Sequence, residues 1–283
     1  MNNVILKDTY DEWVKHHHKD LKSFLYRFTA SKEDAEDLAQ ETFVKAYQKL
    51  STFKGNSSIK TWLFSIGANL AKDHLRTKAR WPQHAQDKCR DLISTTPSLK
   101  AELKHIASHS ETGKYDIKEH IDFCFTCIMK TLSIEKQLIL MLAEIYSFKV
   151  KEIAQIMNTS VGVIKHLLRD SRLMMEDIFE HRCALISKKG ICHQCSELNG
   201  LRNEKAETQR LVAETELAKA AAHQNNAHLL SIRIALVRAI DPLNAKGTSL
   251  HDFLLKQTER TVTENCIAPD AGHETACCNS TRG

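Results

Sequence analysis

Apolar side chains recur at helical spacing along most of the 283-residue chain. Trp13, Leu21, Phe24, Leu25 and Phe28 predict one or two helices over residues 1–30. Ala35, Leu38, Ala39, Phe43, Ala46, Tyr47 and Leu50 predict the next helix, and Ile59, Trp62, Leu63, Ile66 and Leu70 give the buried stripe of a third. Ser31 followed by Asp34 has the spacing of an N-terminal cap, and Glu33, Asp34, Glu36 and Asp37 load the positive end of that helix dipole. Between the second and third helices, Gly55 and Asn56 suit a tight turn. Further along, Ile121, Phe125, Ile128 and Met129 share a face, and Leu132-Ser133 opens a helix through Leu138, Leu142 and Ile145. Val150, Ile153, Ala154 and Met157 then form a short helix. A turn at Asn158-Thr159-Ser160 leads to a helix expected to bury Val163, Ile164, Leu167 and Leu168, which is a helix-turn-helix pattern.

This patterning predicts an all-α protein. Two small helical domains, 1–80 and 118–182, are joined by a linker over 81–117. A Cys-rich segment (183–200), a helical extension (201–260) and a disordered tail (261–283) follow. Pro82, Ser94-Thr95-Thr96-Pro97 and Gly113 punctuate the linker around a weak helix at Leu99–Ile106. In the extension, LVAETELAKAAA is alanine-rich, and Leu229–Ile240 is amphipathic with Arg233 and Arg238 expected outside. Asp241–Asn244 breaks that run. The default for the extension is a helical hairpin on the second domain or on a partner.

Composition agrees with helices: 4 prolines and 9 glycines are few for this length, and 42% hydrophobic residues suffice for cores. A net charge of +5 permits nucleic-acid binding without arguing for it. No stretch reaches transmembrane length, and the polar start MNNVILKDTYDEW lacks the apolar core of a signal peptide. The expected location is therefore cytoplasmic, where 9 cysteines point to metal or thiol chemistry rather than a disulfide framework.

Several polar constellations carry candidate chemistry. Asp34, Asp37 and Glu41 share a helix face that reads either as solvated or as a docking surface. Ser65, Asn69, Lys72, Asp73 and Arg76, continued by Lys78 and Arg80, suit phosphates and base edges or plain solvent. Ser160, Gly162, Lys165, His166, Arg169 and Arg172 line the outer face of the helix-turn-helix. Cys183, Cys192, His193 and Cys195 have the spacing of a metal knuckle, with a structural or sensory zinc as the expected ion. Cys124 and Cys127 read as small buried thiols, and His16-His17-His18 as a solvated run. His273, Cys277 and Cys278 read as incidental. No acid–base pair, nucleophile triad or phosphate loop appears, so the chain is not expected to be an enzyme.

Three motifs run in order through residues 34–76: D-A-E-D-L-x-Q-E-x-F, F-x-G-x-S-S-x-x-T-W-L and N-L-A-x-D-H-L-R. Together they resemble region 2 of an extracytoplasmic-function sigma factor of the sigma-70 family. The helix-turn-helix is similar to region 4 of that family, with departures at Val163, at His166-Leu167-Leu168 and at Leu132-Ser133. Gly67, inside the third helix, is a further departure. The resemblance implies that Asp34, Asp37, Leu38, Gln40 and Glu41 contact core RNA polymerase. It implies that the loop bearing Lys54, Asn56, Ser57 and Ser58 captures a flipped base of the −10 element, with Trp62, Asn69, Asp73 and Arg76 supporting the opened strand. The outer face of the helix-turn-helix would read the −35 element. The implied partners are core polymerase and promoter DNA, an anti-sigma factor is a further expected one, and no membrane and no required cofactor are implied. Some members carry a C-terminal extension that tunes activity, and this chain resembles them. A metal- or redox-sensing DNA-binding regulator built on the Cys-rich segment is the other reading.

Overall fold

Ser31 begins its helix as the spacing predicts: its hydroxyl accepts the Asp34 N–H at 3.2 Å. The computed structural model describes residues 3–76, 78, 80–109, 117–183, 191–192, 225–245 and 247–265. In it the first module is a bundle of α1 (Asn3–Thr29), α2 (Lys32–Gln48) and α3 (Ile59–Leu75). The first thirty residues give one helix, not two, which Ala30 ends in the left-handed region at φ 60°. Ala35, Leu38, Ala39, Phe43 and Ala46 are buried as expected, but Tyr47 is 53% exposed. It lies past the edge of the bundle, edge-on to Tyr10. His16 is exposed, whereas His18 stacks on Phe43, so the histidine run is only partly solvated.

The buried stripe of α3 differs from the one expected. Leu63 is buried, but Ile59, Trp62, Ile66 and Leu70 are only half-buried, and the closed positions include Phe64, Gly67, Ala68, Ala71 and Leu75. Small residues fill this stripe because other helices approach closely. A Cβ at Gly67 would come within 2.9 Å of Leu21 Cδ1 and 3.3 Å of Thr42 Oγ1. The mid-helix glycine costs about 1 kcal/mol of helix propensity, and in exchange α3 sits close against α1 and α2.

Residues 81–117 are more structured than a linker. They hold α4 (Ala85–Thr95) and α5 (Pro97–His109), which bury Trp81, Ala85, Cys89, Ile93 and Leu103. The second module follows as α6 (Ile117–Met129), α7 (Ile134–Leu140), α8 (Val150–Ile156) and α9 (Val161–Arg182). α7 runs into a π-helical turn at Met141–Ile145, where the Tyr146 N–H reaches back to Met141 O at 3.1 Å. Asn158 makes the helix-turn-helix corner at φ 49°, a conformation asparagine tolerates. Val163, expected inside, is 46% exposed; Ile164 and Leu168 carry the buried side of α9.

Two helices of the C-terminal extension complete the fold, α10 (Asn226–Ala239) and α11 (Thr248–Asn265). They do not form a hairpin on the second module. α10 packs on α6, α9 and the π-turn, while α11 packs on α4, α5 and α6. α11 also runs past residue 260 into the expected tail. Arg238 is exposed as expected, but Arg233 is 2% exposed, its guanidinium 4.0 Å from the centre of the Phe179 ring. The alanine-rich run, His273, Cys277 and Cys278 lie outside the described residues.

The two modules touch directly. Phe64 of α3 meets Tyr146 and Phe148 of the second module at ring distances of 5.6 and 4.9 Å. Beside them, the Arg27 guanidinium of α1 pairs with Asp122 of α6 at 2.9 Å. It also donates to the α10 carbonyls of Val237 (3.0 Å) and to Ile240 O (2.8 Å) just beyond. One buried cation thus joins the first module, the second module and the extension.

Candidate nucleic-acid interface

The acidic helix presents a mixed face. Asp37, Gln40 and Glu41 of α2 are exposed, with Gln40 donating to Glu36 and Glu41 paired to Lys45 at 2.8 Å. Val44 and Tyr47 extend this face with exposed apolar surface, which the periodic pattern had assigned elsewhere or passed over. Leu38 lies in the core and presents no side chain here. Asp34 is turned inward, held by Lys78 at 2.8 Å and His74 at 3.2 Å. Burial alone would raise its carboxyl; the Lys78 hydrogen bond and charge, with His74 beside them, outweigh burial and hold it below the ordinary range. Lys78 also reaches Glu259 of α11 at 3.4 Å.

The loop before α3 is open. Lys54, Asn56 and Ser58 are exposed and Ser57 is half-buried, with Gly55 in the left-handed region at φ 71°. Ser58 caps α3 by accepting the Thr61 N–H at 3.0 Å, which spends one of its lone pairs locally. Trp62 packs against Phe53 at 4.9 Å, and Phe53 in turn against Trp13 at 6.0 Å. Asn69, Asp73 and Arg76 are exposed on α3, the last two paired at 3.0 Å.

On α9, Ser160 caps the helix through the Val163 N–H, and Gly162, Lys165, His166 and Arg169 face solvent. Asp170 sits beside His166 and Arg169 at 3.4 and 3.5 Å. Arg172 differs from its neighbours, because its Nε donates to Glu144 of the π-turn at 2.7 Å. The basic face of this helix is therefore Lys165, His166 and Arg169, with Arg172 spent on the module's own structure.

Cys183 and Cys192 lie side by side in a parallel backbone bridge, anchored by the Cys192 N–H on Arg182 O at 2.9 Å. These are two of the four residues of the expected zinc knuckle; His193 and Cys195 lie outside the described residues. Among the described residues no three His, Cys, Asp or Glu side chains are arranged to hold a metal. No helix among them is long and apolar enough to cross a membrane.

Comparison with known proteins matches residues 13–81 to Sigma-70 region 2 and residues 122–175 to Sigma-70, region 4. The chain is 27% identical over 170 residues to RNA polymerase sigma factor YlaC of Bacillus subtilis, covering 60% of this chain and 91% of that protein. It is 30% identical over 152 residues to the RNA polymerase sigma-H factor of Pseudomonas aeruginosa, covering 54% of this chain and 76% of that protein. A solved structure, the sigma factor RpoE in complex with the anti-sigma factor NepR from Bartonella quintana, matches with a TM-score of 0.43 at 22% identity, over 62% of this chain and 98% of that one. Both modules keep the order of their counterparts, and the Pseudomonas protein is matched over three quarters of its length, so the chain belongs to the sigma-70 family of RNA polymerase sigma factors, in its extracytoplasmic-function group.

Proposed function

We propose that this chain is a dissociable, non-catalytic sigma subunit that binds core RNA polymerase and directs it to promoter DNA. The acidic face of α2, centred on Asp37, Gln40 and Glu41, is its polymerase contact. The Lys54–Ser58 loop with Trp62, Asn69, Asp73 and Arg76 handles the −10 element, and α9 handles the −35 element. The observation that carries this reading is that two sigma modules stand in order on one chain, each with its polar working face open to solvent. Transcription in vitro with purified core polymerase tests it: promoter-specific transcripts support it, and their absence with folded protein and active core overturns it.

Two substitutions test the faces separately. Asp37→Arg reverses charge at an exposed position and leaves the core untouched, so affinity for core polymerase falls at least about tenfold with little change in stability. Unchanged co-purification with core would remove α2 from the interface. Arg169→Ala removes a solvent-facing guanidinium from α9 and weakens −35 binding by about 1–3 kcal/mol. Equal transcription by the two proteins from intact and altered −35 sites would count against base reading by this residue.

The arrangement of the modules bears on how this activity is held. The −10 and −35 elements lie about 25 base pairs apart, roughly 85 Å of B-DNA. Here α3 and α8 are in contact, with Thr61 Oγ1 3.4 Å from Glu152 Oε1. A chain that spans both elements must part this junction. We therefore read the described conformation as a closed form, with α10 and α11 as an internal clamp that tunes activity. A zinc knuckle at Cys183, Cys192, His193 and Cys195 belongs to the same reading, supported by the backbone bridge that pairs its first two cysteines.

A further inference from the structure

α6 and α11 meet at a pair of buried imidazoles. The rings of His120 and His251 are 5.6 Å apart. His251 stacks nearly parallel on Phe123 at 5.0 Å, and His120 tilts against the same ring at 5.0 Å. Both histidines are closed off from solvent, and Nε2 of His251 has no hydrogen-bond partner. The turn into α11 is fixed beside them. Gly247 N–H donates to the Glu119 carboxylate at 2.6 Å, and a Cβ on Gly247 would lie 2.9 Å from that oxygen and 3.0 Å from His251 Cε1. The joint has no room for the hydration that a charged imidazole requires.

We propose that this joint is an acid-sensitive release, in which protonation of His120 and His251 frees α11 from α6 and loosens the clamp on the two modules. Its consequence for promoter use rests on the sigma-factor reading; the joint itself does not.

Most of the surrounding charges are engaged elsewhere, leaving little to offset two imidazolium ions. On α6 the neighbouring carboxylates are Glu119, which accepts the Gly247 N–H and is the one group placed to offset part of the charge, and Asp122, which is paired with Arg27. On α11, Asp252 is engaged by Tyr26 and Lys32 of the first module. α4 turns Cys89 to α11, its thiol raised by burial, while Asp87 of α4 is taken by Arg182 of α9. α5 keeps Lys100, Glu102, Lys104 and His105 exposed, and α10 carries the buried cation Arg233, with His228 and Arg238 exposed.

Burial holds His120 well below the ordinary value of 6.5, the charge of His251 adding to the effect, and brings His251 down to about 3. Undocked, each returns to about 6.5. The docked form then binds fewer protons, so docking is at full strength above pH 6.5 and is lost as pH falls from there toward 3. Between pH 7.5 and 5.5 each histidine weakens docking about tenfold, and the pair about a hundredfold. Asp122, whose carboxyl is raised by burial against the pull of Arg27, works in the opposite direction. Substitution of the histidines, rather than the pH profile alone, therefore identifies the source.

Hydrogen exchange of the full chain, corrected for intrinsic rates, tests the joint at pH 7.5 and 5.5. Protection of α11 is expected to fall about a hundredfold while α1–α3 hold theirs. His251→Phe keeps a ring on Phe123 and removes one titration, so the fall shrinks to about tenfold. Equal α11 protection at both pH values, loss of α1–α3 protection together with α11, or a full hundredfold fall in His251→Phe would each overturn the proposal. If His251→Phe does not fold by circular dichroism, histidine carbon NMR of the unmodified chain decides. The imidazole titration is expected to coincide with release of α11, and rings that stay neutral while α11 opens would sink the idea. Neither readout involves transcription, so failure here is distinct from failure of the sigma-factor assignment.

Discussion

Arg27→Met costs the closed chain about 3–5 kcal/mol, the usual range when one partner of a buried ion pair is removed. The guanidinium is almost fully buried, and its five N–H groups make six hydrogen-bond contacts, Nη2 being shared among three acceptors: two to Asp122, one each to Ser23 and the Tyr146 hydroxyl, and two to the carbonyls of Val237 and Ile240. Methionine fills part of the volume but leaves the Asp122 carboxylate in the interior without its cation. The end of α10 also loses the donor that holds its terminal carbonyls. Because that one group joins three parts of the chain, the deficit is expected as early opening between the modules, not as melting of α1 alone.

The pH dependence follows from Asp122. Its carboxyl is already raised by burial despite Arg27, and removing the cation raises it further. A raised carboxyl stabilises the folded form below its unfolded value, and that contribution is lost as pH rises through the folded value. The deficit of Arg27→Met is therefore larger at pH 8 than at pH 5. Denaturant unfolding at the two pH values checks this; a deficit under about 1 kcal/mol at pH 8 would contradict the buried pair as the joint. Adding Asp122→Leu restores much of the stability, since two well-packed apolar groups can replace a buried ion pair. It does not restore the link to Val237 and Ile240, so hydrogen exchange at the end of α10 stays fast in the double variant.

The parts of the fold legible in the sequence are those set by local chemistry. The Ser31 cap, the buried side of α2 through Phe43, the Asn158 corner and the buried Ile164 and Leu168 of α9 all follow from spacing and turn preference. The faces of the candidate site were legible for the same reason, because Asp37, Asn69, Lys165 and Arg169 lie opposite an apolar side. What periodicity could not supply is the identity of the neighbour. The Phe64–Ala68–Ala71 stripe of α3 is covered by the second module and by close helix approach, so small residues serve where large ones were expected. Arg233 reads as a surface charge until Phe179 appears beneath it. Around Trp81 and Cys89 the pattern was too weak to announce α4, and it gave α5 only as a short weak helix at Leu99–Ile106, because both helices are completed by α11, more than a hundred residues away. Leu38 and Asp34 show the remaining limit. A motif assigns residues to a function as a block, while packing decides which of them face outward.

Phe148→Ala separates the stability of the modules from the stability of their contact. Phe148 lies in the loop between the π-turn and α8, 7% exposed, with its ring 4.9 Å from Phe64 and the Lys60 ammonium 5.3 Å from its centre. Truncating a buried phenylalanine costs about 3–5 kcal/mol. Here much of the lost contact is with α3, so the cost falls on the junction. The tilted Phe24–Phe64 ring contact within the first module, at 5.2 Å, survives. The expected result is a chain that keeps its helical content and the protection of α1 and α2, but shows a larger radius in solution scattering and faster exchange in α8. On the clamp reading it also transcribes more than the unmodified chain at limiting core polymerase, since less docking free energy opposes the parting of α3 from α8. Arg27→Met cannot make this distinction, because besides opening the joint it leaves the Asp122 carboxylate unpaired inside the second module. If Phe148→Ala opens the chain and transcription does not rise, the closed form is a packing arrangement without regulatory weight. If the variant loses α8 and α9 altogether, Phe148 belongs to the core of the second module more than to the joint.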